Sequence, residues 1–124
     1  WVLRIFFAWM YLYSGSDIFR HPTSWTWAIP DWFTNLVTPI MPVETYLRIQ
    51  AVGEIVFAFA FLAWFLKPAI LKYVAALAAL EMAGILFLGK TGIDAITFRD
   101  IGLLGGLIAL SLIFRNKSKE ARAM

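Results

Sequence analysis

Long apolar runs alternate with polar or proline-containing breaks along most of the chain. The four runs are Val2–Phe19, Thr45–Leu66, Ala69–Leu88 and Ala95–Phe114. Each run has about 18–22 residues, and a helix of that length rises by about 30 Å, which is the thickness of the hydrocarbon core of a bilayer. The pattern therefore predicts four membrane-spanning helices.

The breaks between the later runs are short. Lys67 and Pro68 separate the second run from the third, and Gly89–Gly92 separates the third from the fourth. Proline and glycine at these places are typical of helix ends, and connections this short require neighbouring helices to be antiparallel. We predict an all-α, integral membrane antiparallel four-helix bundle that forms one domain over residues 1–114, followed by a basic cytoplasmic tail over residues 115–124.

The composition supports placement in a bilayer and narrows the chemistry. Hydrophobic residues make up 61% of the chain and charged residues 15%, whereas soluble domains average about 45–50% and about 25%. Cysteine is absent and there is one histidine, which excludes disulfides, a bis-histidine haem site and a zinc site within the chain. The sequence contains no phosphate-binding loop or nucleophile motif. We therefore expect an accessory subunit rather than a catalyst, with no metal and no covalently bound cofactor.

Basic residues are distributed unequally between the two sides of the predicted bundle. Lys67 and Lys72 flank the turn between the second and third runs, and the excess behind the net charge of +3 lies in Arg115–Arg122. A basic tail after an apolar helix is typical of a topology signal rather than of a nucleic-acid patch. The positive-inside rule predicts a multi-pass protein of a cytoplasmic-type membrane with both termini in the cytoplasm. At that face we expect Arg4 to extend to lipid phosphates.

The first run carries no recognisable charged leader or small-residue cleavage site. We therefore expect a retained helix rather than a cleaved signal peptide, with further residues preceding Trp1. The connection Arg20–Glu44 that follows is rich in tryptophan and interrupted by prolines. A short helix is predicted over Asp31–Val37, directly after Pro30, lying in the membrane interface.

The aromatic residues of this connection have two interpretations. They form either a belt at the level of the lipid headgroups or a lid over an outward-facing cavity between the helices. The three tryptophans of this interfacial aromatic segment are Trp25, Trp27 and Trp32.

Two acidic residues, Glu54 and Glu81, lie in the middle of apolar runs. An isolated charge at the centre of a bilayer costs about 2.5–3.5 kcal/mol on insertion scales, so each carboxyl must be paired or neutralised. Arg99, near the start of the fourth run, is the best-placed partner, and Gln50 shares a helix face with Glu54 because the two are four residues apart. The predicted polar core comprises Glu54, Glu81, Arg99, Asp100, Asp17, Arg48 and Gln50.

The predicted polar core has a structural and a functional interpretation. In the first, interhelical ion pairs and hydrogen bonds hold the helices in register. In the second, the polar side chains bind a lipid headgroup, a quinone ring or a proton. Small residues on the third and fourth runs are predicted to permit close helix packing, with a contact surface for another subunit as the alternative. They are Ala75, Ala79, Gly102 and Gly106.

Three stretches carry a family resemblance. The first run ends in Ser14–Asp17 and is followed by Arg20–Pro22, the second contains Gly53–Glu54, and Phe98–Leu104 opens the fourth with an Arg-Asp pair before a glycine-rich apolar stretch. Together they resemble the DoxX-like family of small four-helix integral membrane proteins. Members of this family often carry a lysine shortly after the glycine of the first helix, where this chain has Asp17-Ile18.

The resemblance implies a membrane subunit of a quinone-linked oxidoreductase, such as one that transfers electrons from thiosulfate to quinone, or of a complex with detoxifying enzymes. The first functional hypothesis is therefore a DoxX-like subunit that anchors a redox complex and shapes a quinone or lipid pocket. The alternative is a purely structural subunit that fills a gap in a large membrane assembly. A third hypothesis, a proton-coupled carrier of a small solute, is disfavoured because the sequence shows no inverted repeat or broken helix. The expected partners are the bilayer and other membrane subunits, without nucleic acid.

Overall fold

The computed structural model describes residues 1–90 and 100–123. These residues form α-helices and one 3-10 helix, with no strand in the described part of the chain, so the all-helical prediction is confirmed there. The α-helices are α1 (Val2–Arg20), α2 (Asp31–Val37), α3 (Val43–Leu62), α4 (Pro68–Leu88) and α5 (Asp100–Ala123), and the 3-10 helix is Pro22–Ala28.

Three of the described helices are long and apolar enough to cross a bilayer. They are α3, α4 and the part of α5 over Asp100–Ala121. The remaining predicted span, Val2–Phe19, is helical as part of α1 but is not one of these three. The structure thus supports a bilayer environment for the chain, while a fourth span stays a prediction.

Prolines lie at the starts of three helices, because the fixed φ angle of proline is compatible with these positions. Asp31–Val37 forms α2 directly after Pro30, over the predicted bounds, and α3 begins after Pro42. Pro68 is the first residue of α4, where the missing N–H is no loss because a first-turn N–H has no partner inside the helix.

Two helix ends differ from the predicted ones. The second run was expected to be helical through Leu66, but α3 ends at Leu62. The basic tail over residues 115–124 was expected to follow the domain, but α5 continues as helix to Ala123. No glycine or proline follows Gly106, and the lysine, arginine, glutamate and alanine residues there favour helix, so nothing local ends α5 at Phe114.

The helices pack as two close pairs, α1 with α3 and α4 with α5. In the first pair, Gly15 lies against α3, because a Cβ placed there would be 2.8 Å from the backbone oxygen of Ala51. In the second pair, Ala75 is fully buried and Ala79 is 8% exposed. Small side chains at these positions let the helix backbones approach closely.

Large side chains of α1 join the two pairs. Phe7 reaches α5, where a Cβ at Gly106 would be 2.8 Å from the Phe7 ring, and the Tyr11 hydroxyl donates to the backbone oxygen of Ala78 at 3.2 Å. The predicted role of Gly106 in packing matches this contact. Gly102 differs, because it is exposed and a Cβ there would meet no described atom within 4 Å.

Arg4 lies at one end of the helices, here called the Arg4 end. Its Nε donates to the backbone oxygen of Phe61 at 2.6 Å and its Nη2 to that of Ala63 at 2.8 Å. Its guanidinium also lies 5.9 Å from the centre of the Phe114 ring. Arg4 is 7% exposed, so the expectation that it extends to lipid phosphates is wrong. The carbonyl groups at the end of α3 lack helical partners and attract the cation instead.

Candidate functional site

Glu54 lies on the face of α3 that packs against α1. Glu54 is 3% exposed, and a Cβ placed at Gly15 would be 3.1 Å from the Cβ of Glu54. The glycine therefore lets α1 approach α3 next to the carboxyl. As a result, the Ser14 side chain lies near the Glu54 carboxyl.

Glu81 lies on α4 and meets the same region from the opposite side. The Tyr11 hydroxyl of α1 lies near its carboxyl and donates to the backbone oxygen of Ala78. Ala78 and Glu81 are three residues apart and thus lie on one face of α4. Tyr11 is 2% exposed, so this contact is away from solvent.

Gln50 lies near both acidic residues. It is one turn before Glu54 on α3, and its side chain is close to both carboxyls. An amide can serve two acceptors because its NH₂ group carries two donors. The carboxyls are also close enough to interact electrostatically. We call Tyr11, Ser14, Gln50, Glu54 and Glu81 the polar cluster.

Each carboxyl of the polar cluster keeps one oxygen without a partner. Oε2 of Glu54 and Oε2 of Glu81 are buried, and neither has a hydrogen-bond partner among the residues that the structure describes. A buried acceptor without a partner costs about 1–3 kcal/mol, and more when it is charged. Such oxygens are the ones that a proton, or the donor of a bound ligand, would satisfy.

Of the other residues of the predicted polar core, the structure places Arg48 away from the polar cluster. Arg48 is exposed, because it is two residues from Gln50 and thus about 200° around the helix. Asp100 is half-buried as the first residue of α5, and Arg99 lies outside the described residues. The structure thus brings Glu54, Glu81 and Gln50 together and places Arg48 on the opposite face of α3.

Asp17 belongs to the far end of the helices rather than to the polar cluster. Its Oδ2 accepts a hydrogen bond of 2.8 Å from Trp25 Nε1, and its Oδ1 is 3.2 Å from His21 Nδ1. We call this the Asp17 end. Asp17 therefore attaches the 3-10 helix to α1.

The predicted aromatic residues between α1 and α3 differ in burial. Trp25 is half-buried and packs against a small core that contains Ile18 and Leu47, whereas Trp27 is 40% exposed and Trp32 is 56% exposed. Trp27 and Trp32 face away from this core because the 3-10 helix and α2 each pack with only one of their faces. Exposed tryptophans suit the belt interpretation better than the lid interpretation, and both stay predictions.

Three further contacts hold α2 and the preceding 3-10 helix in place. The ring of Phe33 lies 4.9 Å from that of Tyr46 on α3. Lys90 Nζ is 2.8 Å from Asp31 Oδ1, and the Lys90 N–H donates to the backbone oxygen of Ala28 at 3.3 Å. These contacts tie the end of α4 to the start of α2.

Two members of the polar cluster lie outside the predicted polar core. Tyr11 and Ser14 are three residues apart and share a face of α1. They lie close to the glycine at which α1 meets α3. A pair of hydroxyls at this spacing beside a glycine is the signal that could have marked them.

No family model, curated protein or solved structure matches the chain. The DoxX-like resemblance therefore stays a prediction, and the roles of the residues have to be argued from their geometry. Within residues 1–90 and 100–123, no three histidine, aspartate or glutamate side chains are grouped to hold a metal ion.

Proposed function

We propose that the chain is a DoxX-like accessory subunit of a redox-linked complex in a cytoplasmic-type membrane. In this proposal α1, α3, α4 and α5 form an antiparallel four-helix bundle with both termini in the cytoplasm. Three apolar helices of spanning length support it. The orientation is supported by the basic residues near the Arg4 end, of which Lys67, Lys72 and Lys117 are three.

The polar cluster is proposed to bind the carbonyl-bearing head of a quinone and to exchange a proton with it. The observation that carries this proposal is a pair of buried carboxyl oxygens, one on α3 and one on α4, that have no hydrogen-bond partner among the residues that the structure describes. A protonated carboxyl can donate to a quinone oxygen, and a carboxylate can accept from a quinol hydroxyl. The electrons come from a partner subunit of the complex, and this chain contributes hydrogen bonds and the proton.

Two features favour one proton held by the carboxyl pair. Adjacent carboxylates in a water-poor interior repel each other, so the pair is more stable when one of them is protonated. In addition, the single proton of the Tyr11 hydroxyl is directed at the Ala78 carbonyl. The hydroxyl then has no proton left to donate to a Glu81 carboxylate, which favours a protonated carboxyl.

The test replaces each carboxyl by an amide of the same shape. We expect Glu54→Gln and Glu81→Gln to lower the quinone-dependent turnover of the assembled complex by roughly 100-fold, the usual contribution of a positioned acid or base. Glu44→Gln, an equal change in the first turn of α3, is the matched control and should leave turnover unchanged. Full turnover of both variants in a fully assembled complex would reject the proposed function.

A structural role is the second candidate, and a groove between α4 and α5 favours it. The groove has a volume of about 220 Å³ and is lined by Ala76, Ala79, Ile108, Ser111 and Leu112. Small side chains of this kind let a further helix approach closely. In this case the same Glu→Gln variants would lower the amount of assembled complex, measured by blotting of native gels, without a separate loss of turnover per complex.

A further inference from the structure

The Arg4 end carries a second groove, between α1 and the last turns of the apolar part of α5. It has a volume of about 260 Å³, and its lining includes apolar side chains and two basic ones. The lining residues that matter here are Leu3, Arg4, Leu110, Ile113, Phe114 and Lys117. The groove lies at the far end of the helices from Asp17, and none of its lining residues belongs to the polar cluster.

Lys117 is the basic residue of this groove for which the described residues provide no ion-pair partner. It is exposed, and no described carboxylate lies within ion-pair distance of its Nζ, since the described ion pairs join other residues. Lys117 follows Phe114 by three residues, or about 4.5 Å along the helix. It therefore stands just past the apolar part of α5, where lipid headgroups begin.

Arg4 adds positive charge from the other wall. Two of its five N–H donors bind the carbonyl groups of Phe61 and Ala63, and the guanidinium keeps its charge because arginine is not deprotonated in proteins. Residues 101–123 contain one acid, Glu120, against several basic residues. The potential at this groove is therefore positive, whereas its walls are apolar.

We propose that this groove binds an anionic phospholipid, with Leu3, Leu110 and Ile113 against an acyl chain and Lys117 against the phosphate. Charge complementarity selects the anionic headgroup, and the apolar walls select a lipid over a free phosphate ion. The site depends on the bilayer placement in the proposed function but not on any role of the polar cluster. A lipid at this position would occupy the crevice between α1 and α5.

The experiment counts bound lipids by native mass spectrometry of the full chain, released from nanodiscs of equal parts phosphatidylglycerol and phosphatidylcholine. We expect preferential retention of phosphatidylglycerol. Lys117→Gln should lower that retention by about fivefold, which corresponds to one basic side chain near an anionic membrane surface. Lys117→Arg should restore it.

The matched control is Lys119→Gln, an equal loss of charge two residues further along α5. Lys119 is exposed and lies about 200° around the helix from Lys117, so it should leave retention near that of the unchanged protein. Equal losses for both glutamine variants would show a general effect of surface charge and overturn the site.

Three other results would also overturn the inference. These are equal retention of phosphatidylcholine, no effect of Lys117→Gln, and displacement of the lipid by inorganic phosphate. Glu54→Gln should retain phosphatidylglycerol as the unchanged protein does. Lipid retention therefore tests the groove, and quinone-dependent turnover tests the polar cluster, so that either proposal can fail without the other.

Discussion

Two buried charged regions of this protein differ in how their charges are satisfied. At the Arg4 end, the guanidinium donates to the backbone oxygens of Phe61 and Ala63 at 2.6 and 2.8 Å and lies near an aromatic ring. In the polar cluster, Glu54 and Glu81 each keep a buried oxygen with no partner among the described residues. In the first region, no buried nitrogen of the charged group lacks a partner among the described residues, and its contacts stabilise the fold. The second has capacity left for a proton or a ligand.

The largest effect on stability should come from Arg4. We expect Arg4→Gln to lower the free energy of unfolding by about 3 kcal/mol, because hydrogen bonds to a charged group contribute about 1.5–3 kcal/mol each and a neutral amide replaces only part of them. Glu54→Gln should change it by less than about 1 kcal/mol, since a neutral amide of the same shape keeps one acceptor oxygen and removes the cost of burying a charge. Denaturant unfolding in detergent micelles measures both. If the two variants destabilised the protein equally, the proposed difference between the Arg4 end and the polar cluster would be contradicted.

A smaller effect tests the close approach that places Ser14 beside Glu54. A Cβ at Gly15 would be 2.8 Å from the Ala51 backbone oxygen, whereas a Cβ at Gly53 would meet nothing within 4 Å. Gly15→Ala should destabilise the protein by about 1–3 kcal/mol through overpacking. Gly53→Ala, on an exposed face, should stabilise the helix by up to about 1 kcal/mol. The same unfolding assay applies, and destabilisation by Gly53→Ala alone would contradict the contact.

The smallest effect concerns the ion pair between Lys90 and Asp31. Its side chains are 50% and 81% exposed, and exposed pairs contribute about 0–1 kcal/mol because water screens them. Lys90→Gln should therefore change the free energy of unfolding by less than about 1 kcal/mol, and a double-mutant cycle with Asp31→Asn isolates the pair. A coupling energy well above this range would contradict the prediction. It would mean that charged contacts stabilise the Asp17 end as they do the Arg4 end.

Much of the local structure could be predicted because its causes are local. The apolar runs indicated the long helices, and Pro30 and Pro68 marked helix starts. The end of α3 could not be predicted, since Arg4 binds the backbone oxygens there from a residue almost sixty positions away. The continuation of α5 to Ala123 was not predicted, because the charged residues over 115–124 indicated a tail outside the helix. Charged residues that favour helix continue one readily.

For the candidate site, the sequence by itself determined that Glu54 and Glu81 lie in apolar surroundings and that Gln50 shares a face with Glu54, since both follow from hydropathy and helical periodicity. Only the tertiary structure decided that Gln50 lies between the carboxyls, that Tyr11 and Ser14 join them, and that Asp17 belongs with Trp25. Such contacts depend on the rotation and separation of neighbouring helices. Packing at residues such as Gly15 and Gly106 sets this rotation and separation. The order of apolar and polar residues along the chain does not contain that information.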